Sequence, residues 1–462
     1  MVKSDFNFAK ISDATYLITN YAGRYAFLCE ADFHAFCAGK EINAEKRIEL
    51  ENAYFLSRSN SEQFIAEYSQ AIRNYRNYLF TGTGLHIFVL TSKCNLKCLY
   101  CQASTHTDGK NMTKEIARKS VDLALQSPSK YLSFEFQGGE PLENFEVLKF
   151  IVEYTENHVA DKVIAFNLVS NLTLLNDEMI GFLKDHQVSV STSLDGHEQL
   201  QNLNRPYPQE NGYTIWKENC RKLQQATGRK CGAIQTTTKK SLPYYKEIVD
   251  EYIADGFGRV FLRPLTPLGY AASRWGQIGY TPEEFVDFYK NAFEYILMQA
   301  KSGAEIAEGH ACIFLDKIIN QRAGSYTELT SPCGAGLGQL AYNYDGNIYT
   351  CDEGRMLAEM GDFTFQLGDV NTPYQDLFDN PVCKTVAQAS CLECIPQCES
   401  CVYSPYCGTC PVLNYYEKNT VFLTSPNGYK CKIYKGMLDV IFSKLRNGDQ
   451  EDIRILHHWI ER

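Results

Sequence analysis

LHIFVLTSKCNLKCLYC, residues 85–101, decides how the chain is read. Its first seven residues, LHIFVLT, form an apolar run of strand length. Three cysteines follow, Cys94, Cys98 and Cys101, with three and then two residues between them. The loop beyond a strand's carboxyl end is where α/β barrels gather their chemistry. A cubane iron–sulfur cluster takes one external ligand per iron, so three thiolates leave one iron open. An open metal position is what catalysis needs. A zinc knuckle completed by His106 is the alternative.

The remaining composition limits the function. The chain has 462 residues, 44% of them hydrophobic and 22% charged, enough apolar material for a large core. A formal net charge of -10 argues against nucleic acid or an anionic membrane as main partner. The N-terminal stretch lacks the charged and apolar regions of a signal peptide, and no apolar run is long enough for a membrane span. The cytoplasm is therefore the expected compartment, where clustered cysteines lean toward metal rather than disulfides. Of the 18 cysteines, nine lie between Cys333 and Cys410, with Cys431 just beyond. The scattered Cys29, Cys37, Cys220, Cys231 and Cys312 read as small buried hydrophobes.

Four segments are expected. Residues 1–80 form a small α+β module, with TYLITNYAGRYAFL as two strands around Ala22-Gly23 and helices near 31–38, 44–56 and 61–79. This module either docks a peptide or only packs. Residues 81–310 alternate strand-like runs (85–91, 132–137, 163–170, 188–194, 231–238 and 259–265) with helical segments. Thr113–Ser127 has one apolar face, and Thr281-Pro282-Glu283-Glu284 is a capping box. Such alternation implies a parallel sheet; six units fit a partial (β/α)6 barrel better than a closed eightfold one. Residues 311–435 are cysteine-rich with little periodicity, so metal crosslinks would supply their order. Residues 436–462 are helical.

The motifs together resemble the radical S-adenosylmethionine (radical SAM) enzymes. CxxxCxxC with Tyr100 before the last cysteine is that family's cluster loop. Gln137-Gly138-Gly139-Glu140-Pro141 follows the second strand, as the family's GGE motif does. Ser170-Asn171 ends the third strand, Ser191 and Ser193 lie on the fourth, and Arg205 follows in Asn-Arg-Pro. The resemblance implies a cluster held by Cys94, Cys98 and Cys101, whose open iron chelates S-adenosylmethionine. It implies that Gly138, Gly139 and Glu140 hold the methionyl amino group and that Tyr100 packs on the adenine. Ser170 and Asn171 would supply ribose or carboxylate contacts, Arg205 would meet the carboxylate, and Ser191 and Ser193 would also bind the cofactor. The expected chemistry is hydrogen-atom abstraction by a 5′-deoxyadenosyl radical, carried by the cofactor and oriented by the protein.

The second cysteine field resembles the SPASM extension of peptide-modifying radical enzymes. Cys333, Gly346 and Cys351 are followed by Cys398-x2-Cys401-x5-Cys407-x2-Cys410 and then Cys431. The one departure is two residues, rather than three, before Cys410. The resemblance implies two auxiliary [4Fe-4S] clusters, three in all. One would be held by Cys333, Cys351 and Cys410, with Cys312, Cys383, Cys391, Cys394 or no residue as fourth ligand. The other would be held by Cys398, Cys401, Cys407 and Cys431.

Over nearly the whole chain the sequence is similar to the maturases of the His-Xaa-Ser system. That implies a ribosomally made precursor peptide with a leader and His-Xaa-Ser repeats, a flavodoxin- or ferredoxin-type reductant, and a second radical maturase as partner. The implied reaction is an oxidative crosslink, carbon–carbon or thioether. Glu135, Asp195 and Asp352 are candidate bases for the proton released. The rival expectations are a sulfatase-type maturase that makes formylglycine, and a non-catalytic iron–sulfur carrier or zinc scaffold.

Overall fold

The computed structural model describes residues 2–57, 60–103, 109–208, 210–324, 326–423 and 427–461; His106 lies outside them. They divide into two compact units. One comprises residues 1–80, 311–334 and 387–462, the other 81–310 and 335–386.

In the first unit, strands β1 (Asn7–Ser12), β2 (Thr15–Thr19) and β3 (Tyr25–Cys29) form an antiparallel meander. The β2–β3 turn closes at Gly23, where φ is +70° and only glycine is unstrained. Ile18, Leu28, Phe33, Phe36 and Leu50 pack beneath this sheet. Helix Ser61–Tyr75 starts from Asn60, whose side chain accepts the Gln63 amide. The long helix Tyr429–Asn447 brings Phe442 against Tyr25 and Phe27 of β3. A last helix, Gln450–Ile460, is opened by an Asp449 capping box.

The second unit is built on one nine-stranded, mostly parallel sheet. Six strands run parallel in chain order: β4 (Leu85–Val89), β5 (Tyr131–Gln137), β6 (Val163–Val169), β7 (Ser189–Ser193), β8 (Gly232–Thr236) and β9 (Phe261–Arg263). On the other side of β4 the sheet continues with β10 (Gln339–Tyr342), parallel to β4, then antiparallel β11 (Asn347–Tyr349) and β12 (Gln366–Asp369). These last strands were not anticipated. They come from the stretch that the sequence marks as aperiodic.

The two faces of β5 and β6 differ. Leu132, Phe134 and Phe136, with Phe166 and Leu168, are buried. Their rings form a ladder with Phe88, with centroids 4.9 Å apart for Phe88–Phe134. The opposite face carries Ser133, Glu135, Asn167 and Val169, since alternate residues point to opposite faces. Register places Glu135 beside Asn167, Asn167 beside Ser189, and Val169 beside Ser191. The polar row of three strands is thereby aligned on one face. Helix Lys114–Ala124, capped by Thr113, buries Ala117, Val121 and Ala124. Helix Pro282–Lys301 begins at the expected Thr281 capping box.

Candidate active site

The cysteine loop leaves β4 and is gripped by the turn that leaves β5. The Gly139 amide donates to the Thr91 carbonyl at 2.8 Å, and the Glu140 amide to that of Lys93 at 2.7 Å. The approach is so close that only glycine fits. A Cβ on Gly138 would stand 2.3 Å from the Thr91 oxygen, and one on Gly139 1.8 Å from the Lys93 oxygen. Gly138 is also at φ +145°. The glycine pair therefore has a backbone reason of its own, besides any ligand.

Glu140 is buried, at 1% exposure. One carboxylate oxygen accepts from Ser170 Oγ at 2.7 Å and from the Leu142 amide at 3.1 Å; the other accepts from the Asn171 amide at 2.8 Å. Burial pushes its pKa up to about 7, and these donors oppose the rise. Asn171 also reaches the cysteine loop: its Nδ2 donates to Asn95 Oδ1 at 2.9 Å, and Asn95 donates on to Thr173. Ser170 and Asn171 thus tie the end of β6 to both turns.

Tyr100, Asp195 and Arg205 form a buried triad beside the thiols. The Tyr100 hydroxyl donates to Asp195 Oδ2 at 2.6 Å. Arg205 Nε stands 3.3 Å from Asp195 Oδ1, and its guanidinium lies 5.2 Å from the Tyr100 ring centre. The same guanidinium donates to Cys98 Sγ at 4.0 Å. Asp195 is held in place by the Thr236 amide, and its own amide donates to Gln201. Tyr100 therefore has a polar partner in addition to the packing role expected of it.

Burial raises the pKa of the Cys94 and Cys98 thiols, that of Cys98 to about 12. The neighbouring thiols add to the rise at both positions, and Arg205 works against it at Cys98. Three soft donors held side by side suit iron–sulfur ligation, which takes them as thiolates and displaces their protons.

These groups share one cavity of about 200 Å³. Cys94, Cys98, Cys101 and Tyr100 line it with Gly138, Gly139, Glu140, Ser170, Asn171, Ser193 and Arg205; Ser191, expected among them, does not. Thr236 and Arg263, at the ends of β8 and β9, and Met356 also line it. They were not singled out from sequence, although Thr236 and Arg263 fall in the expected strand runs 231–238 and 259–265. Met356 had no signal, because it comes from a helix distant in sequence. Ser191 lines a second cavity, of about 280 Å³, together with Glu135, Asn167 and Ser189. Val169 lines both cavities.

The three candidate bases differ. Asp195 is ion-paired with Arg205, and Asp352 with the buried Arg355. Burial raises the pKa of Glu135, which accepts a hydrogen bond from Gln137.

The later cysteines divide between the two units. Cys351 and Cys383 belong to the sheet-bearing unit; Cys333, Cys391, Cys394, Cys398, Cys401, Cys407, Cys410 and Cys431 belong to the other. Within that unit, burial and then the Cys431 thiol raise the pKa of Cys398 to about 12, and the same two causes raise that of Cys407. Cys401 is raised mainly by burial, with Cys431 contributing. These four thiols are neighbours, a donor set that suits a cubane. The Cys333 amide donates to Ser390 Oγ at 3.0 Å, and Cys391 Sγ to Glu393 at 3.3 Å. Cys351 caps the helix Asp352–Glu359. Among the described residues, no group of three or more His, Cys, Asp and Glu side chains is arranged for a single metal ion.

Residues 88–262 match the model of the Radical SAM superfamily. An uncharacterized protein of Methanocaldococcus jannaschii is 29% identical over 181 residues, covering 39% of this chain and 62% of its own length. A cysteine-type anaerobic sulfatase-maturating enzyme of Clostridium perfringens is 25% identical over 283 residues, covering 57% of this chain and 72% of its own. In fold, the chain is similar to anSMEcpe with bound AdoMet and Kp18Cys peptide (TM-score 0.67, 19% identity, 81% of this chain and 99% of that one). It is also similar in fold to Streptococcus suis SuiB bound to its precursor peptide SuiA (TM-score 0.56, 15% identity, 92% and 98%). No helix among the described residues is long and apolar enough to cross a membrane.

Proposed function

We propose that this radical SAM chain oxidatively modifies a ribosomally made peptide, forming an intramolecular carbon–carbon or thioether crosslink. The observation that carries the reading is the cavity where the Cys94, Cys98 and Cys101 thiols meet the Gly138-Gly139-Glu140 turn. Cys94, Cys98 and Cys101 would hold a [4Fe-4S] cluster, and Glu140, Ser170, Asn171, Ser193 and Arg205 would surround S-adenosylmethionine. The bound group would supply hydrogen-atom abstraction from an unactivated C–H bond. Tyr100 and Arg205 keep the buried Asp195 paired beside Cys98, and the glycine turn fixes the cysteine loop. The six consecutive parallel strands are read as the family's partial barrel. Cys333, Cys351 and Cys410, and separately Cys398, Cys401, Cys407 and Cys431, are read as SPASM ligands that accept the surplus electron of crosslinking.

The peptide substrate is supported by the two peptide-bound structures of similar fold. A His-Xaa-Ser repeat peptide is the first substrate to try. The second reading, formylglycine formation, is favoured by the likeness to the C. perfringens maturase. One experiment separates them. The anaerobically reconstituted enzyme is given reductant, S-adenosylmethionine and each peptide. A crosslink removes two hydrogens from the repeat peptide. Formylglycine exchanges a cysteine thiol for an aldehyde oxygen in a sulfatase-type peptide. Absence of 5′-deoxyadenosine with either peptide, from enzyme holding its iron, would refute both readings.

A further inference from the structure

The loop between Cys401 and Cys407 is shaped only in part by its own backbone, through the Ser404-to-Cys401, Tyr406-to-Tyr403 and Cys407-to-Ser404 amide–carbonyl bonds. It contains one short 3-10 turn, Ser404–Tyr406, closed by bonds such as Ser404 amide to Cys401 carbonyl. A short loop of this kind needs other donors for its carbonyls. The first 80 residues provide them. Asn7 Nδ2 donates to the Cys401 carbonyl at 3.0 Å. The Thr19 hydroxyl donates to that of Val402 at 2.7 Å, and the Tyr75 hydroxyl to that of Pro405 at 2.8 Å. In return, the Tyr406 hydroxyl donates to the Gly23 carbonyl at 3.1 Å.

These donors are fixed in their turn. Thr19 and Tyr406 are wholly buried, and Tyr75 is 4% exposed. A Cβ on Gly23 would lie 2.4 Å from the Tyr75 ring, so the β2–β3 turn closes directly onto that side chain. Asn7 and Thr19 pair across β1 and β2, which places two of the donors on adjacent strands.

We infer that Asn7, Thr19 and Tyr75 are positioning residues for the site formed by Cys398, Cys401, Cys407 and Cys431. The N-terminal meander is then the mould in which that loop is set. The inference rests on the proposed reading of those cysteines as cluster ligands. It goes beyond that reading by giving the N-terminal segment a task independent of peptide docking.

The test is iron retention. The parent chain, reconstituted anaerobically, should hold about twelve irons. The variant N7A/T19V/Y75F should hold about four fewer, with loss of one cluster's signal in the electron paramagnetic spectrum of the reduced protein. It should still cleave S-adenosylmethionine to 5′-deoxyadenosine. Should the triple variant fail to melt cooperatively, Thr19→Val alone decides. It should lose iron to a chelator about fivefold faster than the parent, the effect of one buried hydrogen bond. Thr19→Ser, which keeps the hydroxyl, should restore the parent rate. Full iron in the triple variant, or release from T19V within twofold of the parent, would overturn the inference. A parent without iron would sink the proposed function as well, so the two failures are distinguishable.

Discussion

Replacing Gly139 with alanine tests the site at its tightest point. The added Cβ would begin 1.8 Å from the Lys93 carbonyl oxygen and 2.4 Å from its carbon, whereas ordinary contact begins at 3.4 Å. The obstacle is backbone, so no side chain can rotate away. The β5 turn and the cysteine loop must separate. That breaks the Glu140 amide bond to Lys93 and the Gly139 amide bond to Thr91. Two buried hydrogen bonds and an overpacked contact cost about 3 kcal/mol together. A misplacement on the order of 1 Å also costs roughly a hundredfold in rate where geometry governs the chemistry. The expected result is a lower thermal midpoint and at least a hundredfold slower formation of 5′-deoxyadenosine by reconstituted protein. Gly181→Ala is the control. Gly181 lies in helix Asp177–Asp185 with open space around it, so this change should be neutral or slightly stabilising. If G139A cleaves S-adenosylmethionine within threefold of the parent, the reasoning fails.

Cys98→Ala should remove about four irons and abolish 5′-deoxyadenosine formation; colorimetric iron analysis and chromatography would check both, and unchanged turnover contradicts the site. Arg205→Met leaves Asp195 buried without its cation, at a cost of about 3–5 kcal/mol. Denaturant unfolding at neutral pH should show this as a lower midpoint with an unchanged slope. Glu140 has a folded pKa of about 7, raised by burial above its unfolded value. The folded apo chain therefore binds the extra proton, and stability falls as pH rises from about 4.5 to 7, by roughly 3 kcal/mol at most. Thermal melts across that range should slope downward for the parent and flatten for Glu140→Gln. Parallel slopes would remove the carboxyl from the explanation.

The parallel strands were legible because their signal is local. The run expected at 132–137 is the strand Tyr131–Gln137, and that expected at 163–170 is Val163–Val169. The later runs are trimmed: 231–238 becomes Gly232–Thr236, and beyond it the Thr237 and Thr238 hydroxyls pair with Gln235, Asn204 and Ser241. The cavity was legible too, since Cys94, Glu140, Asn171 and Arg205 stand in motifs. Non-local pairing was not. Gln339–Tyr342 carries the short apolar run of a strand, but nothing near it says that its neighbour is Leu85–Val89. Nor does any local pattern tell Thr19 that its hydroxyl will serve a carbonyl at Val402. The polarity of Tyr100's surroundings was hidden for the same reason, since Asp195 lies far along the chain.

The unit made from residues 1–80, 311–334 and 387–462 has a consequence for synthesis. At about 5–20 residues per second, the first meander leaves the ribosome tens of seconds before the segment whose carbonyls it serves. During that interval the Thr19 and Tyr75 hydroxyls lack the carbonyls they will serve, although the core beneath the meander is already complete. The sheet-bearing unit, whose parallel strands follow one another in chain order, can meanwhile begin to assemble. The segment from Cys401 to Pro405 therefore meets donors that were made long before it.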